Sequence, residues 1–182
     1  MLEKKAIVLR GTPGSGKTTV AREIGAILGA MAEGPVELDE GWWPHQKRYA
    51  PGPARYGDLR GRSAQVLVLH LGYGEPRDMS SKGATRNPAE WADVMRSDSR
   101  QVFLFRLDVE REEAIRRVVC RGISGCSEGN WANAWWHCYV HDEDIRLLPE
   151  RAGLQEEVIP VQGRTPREIA SFILARVGLA GP

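Results

Sequence analysis

The feature that most constrains this chain is a glycine-rich segment at residues 11–18, GTPGSGKT, which satisfies the pattern GxxxxGK followed by Ser or Thr. An apolar run at residues 6–9 precedes it, and apolar residues at helical spacing follow it, namely Val20, Ile24, Ile27 and Leu28. Between a strand and a helix, glycines let the backbone curl until consecutive N–H groups point at one anion, and the helix dipole adds to the attraction. We therefore expect this chain to bind a nucleoside triphosphate.

Residues 11–19 are the candidate ligands of that nucleotide. Lys17 is expected to reach the β- and γ-phosphates, and the hydroxyl of Thr18 is expected to ligate magnesium. ATP and Mg2+ are therefore the expected cofactors. The alternative is a glycine-rich turn that binds nothing. The candidate nucleotide-binding residues are Gly11, Thr12, Pro13, Gly14, Ser15, Gly16, Lys17, Thr18 and Thr19.

Strand and helix patterns alternate along the 182 residues, which predicts a parallel sheet in a single domain covering residues 1–182. Apolar runs predict strands at residues 5–10, 35–39, 65–71, 101–107 and 158–161.

Three helices bear on the site. The first begins at Lys17. A second is predicted over residues 110–121, with Ile115, Val118 and Val119 facing inward. The third begins at residues 165–168, where Thr, Pro and Glu follow the pattern of a capping box, and its predicted buried residues are Ile169, Phe172, Ile173 and Val177. Residues 122–133 are polar, and we expect them to be a loop.

Charge and hydropathy exclude several classes of protein. The net charge of +1 excludes a strongly basic protein that wraps nucleic acid. No apolar run approaches the roughly 20 residues of a membrane span, and the first residues show no secretory signal. We therefore expect a cytoplasmic protein with no membrane partner. The three cysteines lack a CxxC pair and match no common zinc pattern, so reduced thiols are expected.

The chain resembles the P-loop kinases of the nucleoside, nucleotide and polynucleotide kinase group, which includes zeta-toxin-like and gluconate-kinase-like members. The resemblance is carried by the glycine-rich loop, by Asp39 at the end of the second predicted strand, and by residues 103–121 and 163–170. It implies a P-loop NTPase fold, an α/β three-layer sandwich with a five-stranded parallel sheet of order 2-3-1-4-5 and a lid. It also implies a phosphotransferase that moves the γ-phosphate of ATP to an alcohol group.

The resemblance also assigns roles to particular residues. In such kinases an acid after the second strand contacts the acceptor hydroxyl, and arginines after the fourth strand cover the phosphates. Asp39, Arg117 and Arg121 therefore join Lys17 as candidate catalytic residues. Glu40 is the neighbouring alternative to Asp39, and either carboxylate can instead be a solvated loop residue. The two arginines, four residues apart, suit either a phosphate clamp or a solvated basic face.

The rest of the magnesium site stays open. Many P-loop proteins end the third strand with an aspartate that holds the magnesium shell, whereas this chain has Glu75 and Asp78 in the following segment. One of these carboxylates, or Asp39 with water, is expected to complete the shell.

Two aromatic segments flank the expected acceptor cleft. The first is the acceptor loop at residues 40–62, and the second, residues 131–139, lies in the expected lid at about residues 121–140. Flat rings among cations suit a stacked nucleobase, whereas ordinary core packing is the competing explanation. We therefore expect a nucleobase-containing acceptor. The candidate acceptor-binding residues are Glu40, Trp42, Trp43, Arg55 and Arg60.

The identity of the acceptor is open at this point. The resembling group includes viral enzymes that phosphorylate a hydroxymethylpyrimidine in DNA, and a base turned out of its stack fits an aromatic, basic loop. DNA or another nucleic acid is therefore one expected acceptor. The alternatives are a kinase for a free sugar, nucleoside or antibiotic, and a regulatory module that hydrolyses ATP slowly.

Overall fold

The computed structural model describes residues 3–39, 62–72, 100–120, 128–151 and 153–179. Its strands are β1 (Lys5–Arg10), β2 (Ala32–Asp39), β3 (Val66–Gly72), β4 (Gln101–Asp108) and β5 (Glu156–Pro160). Its helices are α1 (Lys17–Leu28), α2 (Arg111–Val119), α3 (Glu128–His141), α4 (Glu143–Arg146), α5 (Leu148–Arg151) and α6 (Pro166–Arg176). Within these ranges no helix combines the length and the hydropathy that a bilayer span needs.

The five strands pair in parallel in the order β2-β3-β1-β4-β5, which confirms the predicted sheet. Strand β1 is central, with Lys5 in register with Val66 of β3 and with Gln101 of β4. Strands β2 and β3 lie to one side of β1 within the sheet, whereas β4 and β5 lie to its other side. Open parallel sheets bind ligands outside the carboxyl ends of their strands at such a reversal of order. The segment that follows β1 therefore lies where a ligand is expected.

Two strands begin more than one residue away from their predicted bounds. Strand β2 begins at Ala32, because the chain pairs with β3 on both sides of an irregularity between Glu33 and Val36. Gly34 permits this approach, since a Cβ there would lie 2.4 Å from the carbonyl oxygen of Val68. Strand β5 covers Glu156–Pro160, because pairing with β4 includes two glutamates that carry no apolar signal.

One face of the sheet carries the main apolar core. Ile7 and Leu9 of β1 are fully buried there, together with residues of α1 and α6. Ile27 of α1 was predicted to be buried but is 38% exposed, because it lies at the edge of the apolar stripe of the helix. The buried apolar residues of the two helices are Val20, Ala21, Ile24, Leu28, Ile169, Ala170, Ile173 and Leu174. Phe172, also predicted to be buried, packs against this core while only partly buried.

Helix α2 is shorter than predicted, and a different set of its residues faces the core. It ends at Val119, and Ala114 and Val118 are its buried residues. Val119 was predicted to face inward but is 50% exposed, because one residue turns an α-helix by about 100° away from the buried Val118.

Helix α3 packs against α2 and was not predicted. Residues 128–133 were expected to be a loop, yet they are helical, because Ala132, Trp135 and Tyr139 recur at helical spacing and are all buried. The indole N–H of Trp136 donates to the carbonyl oxygen of Val109 at 3.1 Å. Much of the second aromatic segment is therefore committed to packing α3.

A buried ion pair joins β1 to β5. Arg10 lies on the face of β1 opposite Ile7 and Leu9, is fully buried, and donates from Nη1 to Oε1 of Glu156 at 2.7 Å. Its guanidinium carbon lies 5.6 Å from the ring centroid of Tyr139 in α3. Since Arg10 immediately precedes the glycine-rich loop, this pair anchors the end of the strand that carries the loop.

We expect Glu156→Ala to lower the free energy of unfolding by about 3 kcal/mol. The substitution removes the carboxylate that Arg10 contacts, while the positive charge of Arg10 stays buried. The measurement is urea denaturation of both proteins. Glu157→Ala is the matched control: Glu157 pairs with Arg176 at 3.1 Å on the surface, so its loss should cost only about 0.5 kcal/mol. Equal losses would show that the pair at Arg10 does not anchor the strand.

Candidate active site

The glycine-rich loop between β1 and α1 has the backbone that its glycines were expected to allow. Gly11, Gly14 and Gly16 have φ values of 136°, 86° and 95°, in the region that residues with a Cβ avoid. Close approach adds a second requirement. A Cβ at Gly11 would lie 2.5 Å from the carbonyl oxygen of Leu107, and one at Gly14 would lie 2.5 Å from that of Ala114. The loop is therefore pressed against the end of β4 and the first turns of α2.

Lys17, the first residue of α1, lies within the loop. Its Nζ donates to the carbonyl oxygens of Gly11 and Thr12, at 2.7 Å and 3.1 Å. The side chain is only 9% exposed, although the sequence motif suggests an exposed phosphate ligand. A buried ammonium inside the loop is close to any anion that the loop binds, and water screens its charge only weakly.

Two hydroxyl groups of the loop are buried without a hydrogen-bond partner among the described residues. They belong to Thr12 and Ser15, which are 4% and 1% exposed. A buried unpaired hydroxyl costs free energy, and each of these can donate to an oxygen of a bound anion. The loop therefore fits a phosphate group by its side chains as well as by its backbone.

The hydroxyl of Thr18 stands in the first turn of α1, where the residue is partly exposed. A neutral oxygen beside the phosphate loop is a ligand that Mg2+ accepts, together with phosphate oxygens and water. In the described part of the chain, no group of three or more His, Cys, Asp or Glu side chains lies close enough to hold a metal ion. Glu75 and Asp78, the other candidates for the magnesium shell, lie outside the described residues.

Arg117 is the only one of the two predicted clamp arginines within the described ranges, since Arg121 lies outside them. Its Nη1 donates to the carbonyl oxygen of Gly14 at 3.3 Å, and its Nε donates to Oε1 of Glu113 at 2.7 Å. The side chain is 32% exposed. Arg117 therefore reaches the glycine-rich loop, and it is held there by a carboxylate that the sequence analysis did not consider.

A cavity of about 230 Å3 opens beside the loop. Its walls come from the loop and α1, from Arg117 of α2, and from the segment between β5 and α6. The polar and charged groups on its walls are those of Ser15, Thr19, Arg117 and Arg164, and Val161 and Pro166 add apolar surface. Arg164 and Pro166 were missed as site residues, although residues 163–170 carried part of the family resemblance.

The segment between β5 and α6 is fixed by the predicted capping box. The backbone N–H of Thr165 donates to Glu168 at 2.7 Å, and the N–H of Glu168 donates back to the Thr165 hydroxyl at 3.3 Å. The hydrogen bond from the Thr165 backbone, followed by that from its hydroxyl, lowers the pKa of Glu168. The guanidinium of Arg164 lies 5.6 Å from the centroid of the Phe172 ring. This wall of the cavity is therefore held in place before any ligand arrives.

The predicted acceptor residues are described only in part. The backbone of Asp39 ends β2 in register with Gly72 of β3, at the same sheet edge as the glycine-rich loop. The acceptor-loop candidates Glu40, Trp42, Trp43, Arg55 and Arg60 lie outside the described residues. In the second aromatic segment, Trp135 is fully buried and Tyr139 is 6% exposed, so neither ring is available to stack on a base.

No protein-family model and no curated protein sequence matches the chain. Solved structures do match over nearly its whole length. The YorR protein from Bacillus subtilis, in complex with phosphorylated GDP, has a TM-score of 0.61 and 17% identity, and the match covers 96% of each chain. A shikimate kinase from Acinetobacter baumannii, in complex with shikimate, has a TM-score of 0.56 and 18% identity, over 97% of this chain and 94% of that one.

These matches bear on the fold. The five-stranded parallel sheet of order 2-3-1-4-5, with helices on both sides, is the P-loop kinase fold of these neighbours. The expected fold class is therefore confirmed. Identities below one fifth carry no assignment of activity or substrate to this chain.

We expect Gly14→Ala to destabilise the protein by about 3 kcal/mol, because the new Cβ meets the Ala114 carbonyl and the left-handed φ is strained as well. Urea denaturation measures the loss. Gly163→Ala is the control, since Gly163 also has a positive φ, 68°, but a Cβ there meets nothing within 4 Å. That control should lose only about 1 kcal/mol. Equal losses would mean that the loop and α2 do not press on each other.

Proposed function

We propose that this chain is an ATP-dependent phosphotransferase that moves the γ-phosphate to a hydroxyl group of a small acceptor. The observation that carries the proposal is the glycine-rich loop at the carboxyl end of the central strand. Inside it lie Lys17 and two buried hydroxyls that have no hydrogen-bond partner among the described residues. A nucleotide-binding P-loop on the kinase fold favours transfer to an acceptor over a mechanical or switch function.

The loop residues bind and orient the triphosphate. Backbone N–H groups around Gly14 and Gly16 and the hydroxyls of Thr12 and Ser15 donate to phosphate oxygens. Lys17 exchanges its hydrogen bonds to the loop carbonyls for contacts with the β- and γ-phosphates, where its charge offsets the charge that builds up during transfer. The cavity beside the loop accommodates the nucleoside end of ATP, with Arg117 and Arg164 on its walls.

Thr18 is the residue of the described part that would hold Mg2+. When bound, the ion neutralises charge on the phosphate oxygens.

Asp39 is the proposed contact for the acceptor hydroxyl. Strand β3 lies between β2 and β1, the strand that leads into the glycine-rich loop. An acid at the carboxyl end of β2 therefore borders the crevice outside the sheet. A carboxylate in that place orients the hydroxyl and accepts its proton as the hydroxyl oxygen bonds to the γ-phosphorus. The bond from that phosphorus to the β–γ bridging oxygen breaks, and ADP leaves. Glu40 is the alternative at the next position. Arg121, together with Arg117, is proposed to cover the transferring phosphate.

The described residues favour a small acceptor over DNA. The sequence argument for a stacked nucleobase relied on two aromatic segments, and Trp135 and Tyr139 of the second lie on the buried side of α3. Two of the solved neighbours were bound to shikimate and to a phosphorylated nucleotide, both small molecules. We therefore propose that the acceptor is a nucleoside, a nucleotide or another small hydroxyl compound. We also propose that the protein acts in the cytoplasm.

Lys17→Ala should lower the turnover number about a hundred- to a thousandfold, because it removes a charge that stabilises the transferring phosphate. It should also cost about 1 kcal/mol of unfolding free energy, since two buried hydrogen bonds are lost. Lys5→Ala is the matched control. Lys5 donates to the Val177 carbonyl at 2.6 Å near the opposite end of β1, so its loss should lower stability similarly and leave turnover unchanged. Unchanged turnover in a folded Lys17 variant would contradict the proposal.

The acceptor class is tested with radiolabelled ATP over a panel of nucleosides, nucleotides, sugars, hydroxy acids, and single- and double-stranded DNA. We expect transfer to a small member of the panel, with a Michaelis constant for the acceptor that changes less than about threefold between 50 and 200 mM salt. A DNA acceptor would lose affinity by orders of magnitude over that range, because its phosphate contacts release counterions.

The same assay separates the two carboxylates. Asp39→Asn should lower turnover while leaving the affinity for ATP unchanged, because the proposed role concerns the acceptor oxygen. A larger effect of Glu40→Gln would move the role to Glu40. Transfer to DNA alone would replace the small-acceptor proposal with the nucleic-acid one.

A further inference from the structure

Glu113 lies on α2 and pairs with two arginines, of which Arg117 reaches the glycine-rich loop. Its carboxylate accepts two hydrogen bonds from Arg116, from Nε and Nη2, and one from Nε of Arg117, all at 2.7 Å. The Glu113 side chain is 22% exposed, whereas that of Arg116 is 63% exposed. Arg116 therefore faces solvent, while the bond to Arg117 points toward the site.

Arg117 is held at two points. Glu113, one turn earlier on the same helix, fixes Nε, and the Gly14 carbonyl receives Nη1. The guanidinium is planar, so two fixed nitrogens define its orientation beside the loop and at the wall of the cavity. A long side chain that is ordered before the ligand arrives loses less entropy on binding.

We propose that Glu113 is a positioning residue, which orients Arg117 toward the nucleotide and thereby strengthens nucleotide binding. This inference rests on the proposed function, since it assigns a role within the same site. It makes a counterintuitive prediction, because Glu113 adds negative charge near the place where a triphosphate binds. If charge alone mattered, removing Glu113 would strengthen binding.

The carboxylate is ionised under all ordinary assay conditions. The hydrogen bond from Arg116, followed by that from Arg117, lowers the pKa of Glu113 to about 2. Orientation of Arg117 is therefore a constant property of the site between neutral and mildly acidic pH, and the test can be run at one pH.

The experiment is calorimetric titration of the full chain with ATP. Glu113→Gln removes the charge and Glu113→Asp keeps it but shortens the side chain, and we expect each to raise the dissociation constant by about three- to tenfold. Glu112→Gln is the matched control. Glu112 is the neighbouring glutamate, its side chain is 79% exposed and it pairs with Arg111 at 3.3 Å, so the same charge change there should shift the constant less than twofold.

A double variant tests whether Glu113 acts through Arg117. In an Arg117→Ala background, Glu113→Gln should change the dissociation constant less than about twofold, because the group it orients is gone. A loss of equal size in that background, or tighter binding by Glu113→Gln alone, would overturn the inference. So would unchanged binding by Glu113→Asp in a protein with normal helical circular dichroism. Failure of the wild-type chain to bind ATP would overturn the proposed function together with this inference, whereas normal wild-type binding with unaffected Glu113 variants would overturn the inference alone.

Discussion

The close approach of the glycine-rich loop to β4 and α2 is the constraint on which the rest of the site depends. Backbone carbonyls of Leu107 and Ala114 occupy the space that side chains at Gly11 and Gly14 would need. This contact brings α2 within reach of the loop, so that Arg117 can bond to the Gly14 carbonyl. The same contact places one wall of the cavity opposite the capped segment before α6. The glycines therefore serve packing between elements as well as the curl that an anion requires.

The two faces of the sheet differ in the side chains that they bury. One face is apolar and fixes α1 and α6, which carry the loop lysine and the Arg164 segment. The other face holds the buried pair of Arg10 and Glu156, and Arg10 lies beside the ring of Tyr139 in α3. Burying this pair gains less stability than an apolar core, but it holds the last residue of β1 directly before the loop.

Much of the fold could be predicted, because its signals are local. The apolar run of β1, the glycine pattern and the Thr165 capping box each specify structure within a few residues. The bounds of β2 and β5 could not be predicted, since they depend on pairing with strands distant in the chain. Helix α3 was missed because Gly and Asn near its start resemble a loop, although Ala132, Trp135 and Tyr139 already carried the helical period. Packing of those rings then decided against their use as a stacking surface.

The site was predictable at its centre and less so at its edges. The motif predicted a curled glycine-rich loop before α1, but it could not show that Lys17 is buried against two carbonyls. Glu113 was visible in the sequence as the residue four before Arg117, yet it was overlooked because Arg117 was compared with Arg121 instead. Arg164 could not be predicted to line the cavity from its local sequence, because its place there depends on the strand order that brings the end of β5 beside α2.

The most direct test of this account is a nuclear magnetic resonance titration of the 15N-labelled chain with a non-hydrolysable ATP analogue and Mg2+. In the proposed complex the backbone amides of Gly14, Gly16 and Lys17 donate to phosphate. Their signals should shift together and saturate at one analogue per chain, while the amide of Gly178, which lies beside Lys5 at the amino-terminal end of β1, should shift less. Saturating addition of the analogue with no shift at the loop amides would contradict the claim that this loop binds the nucleotide.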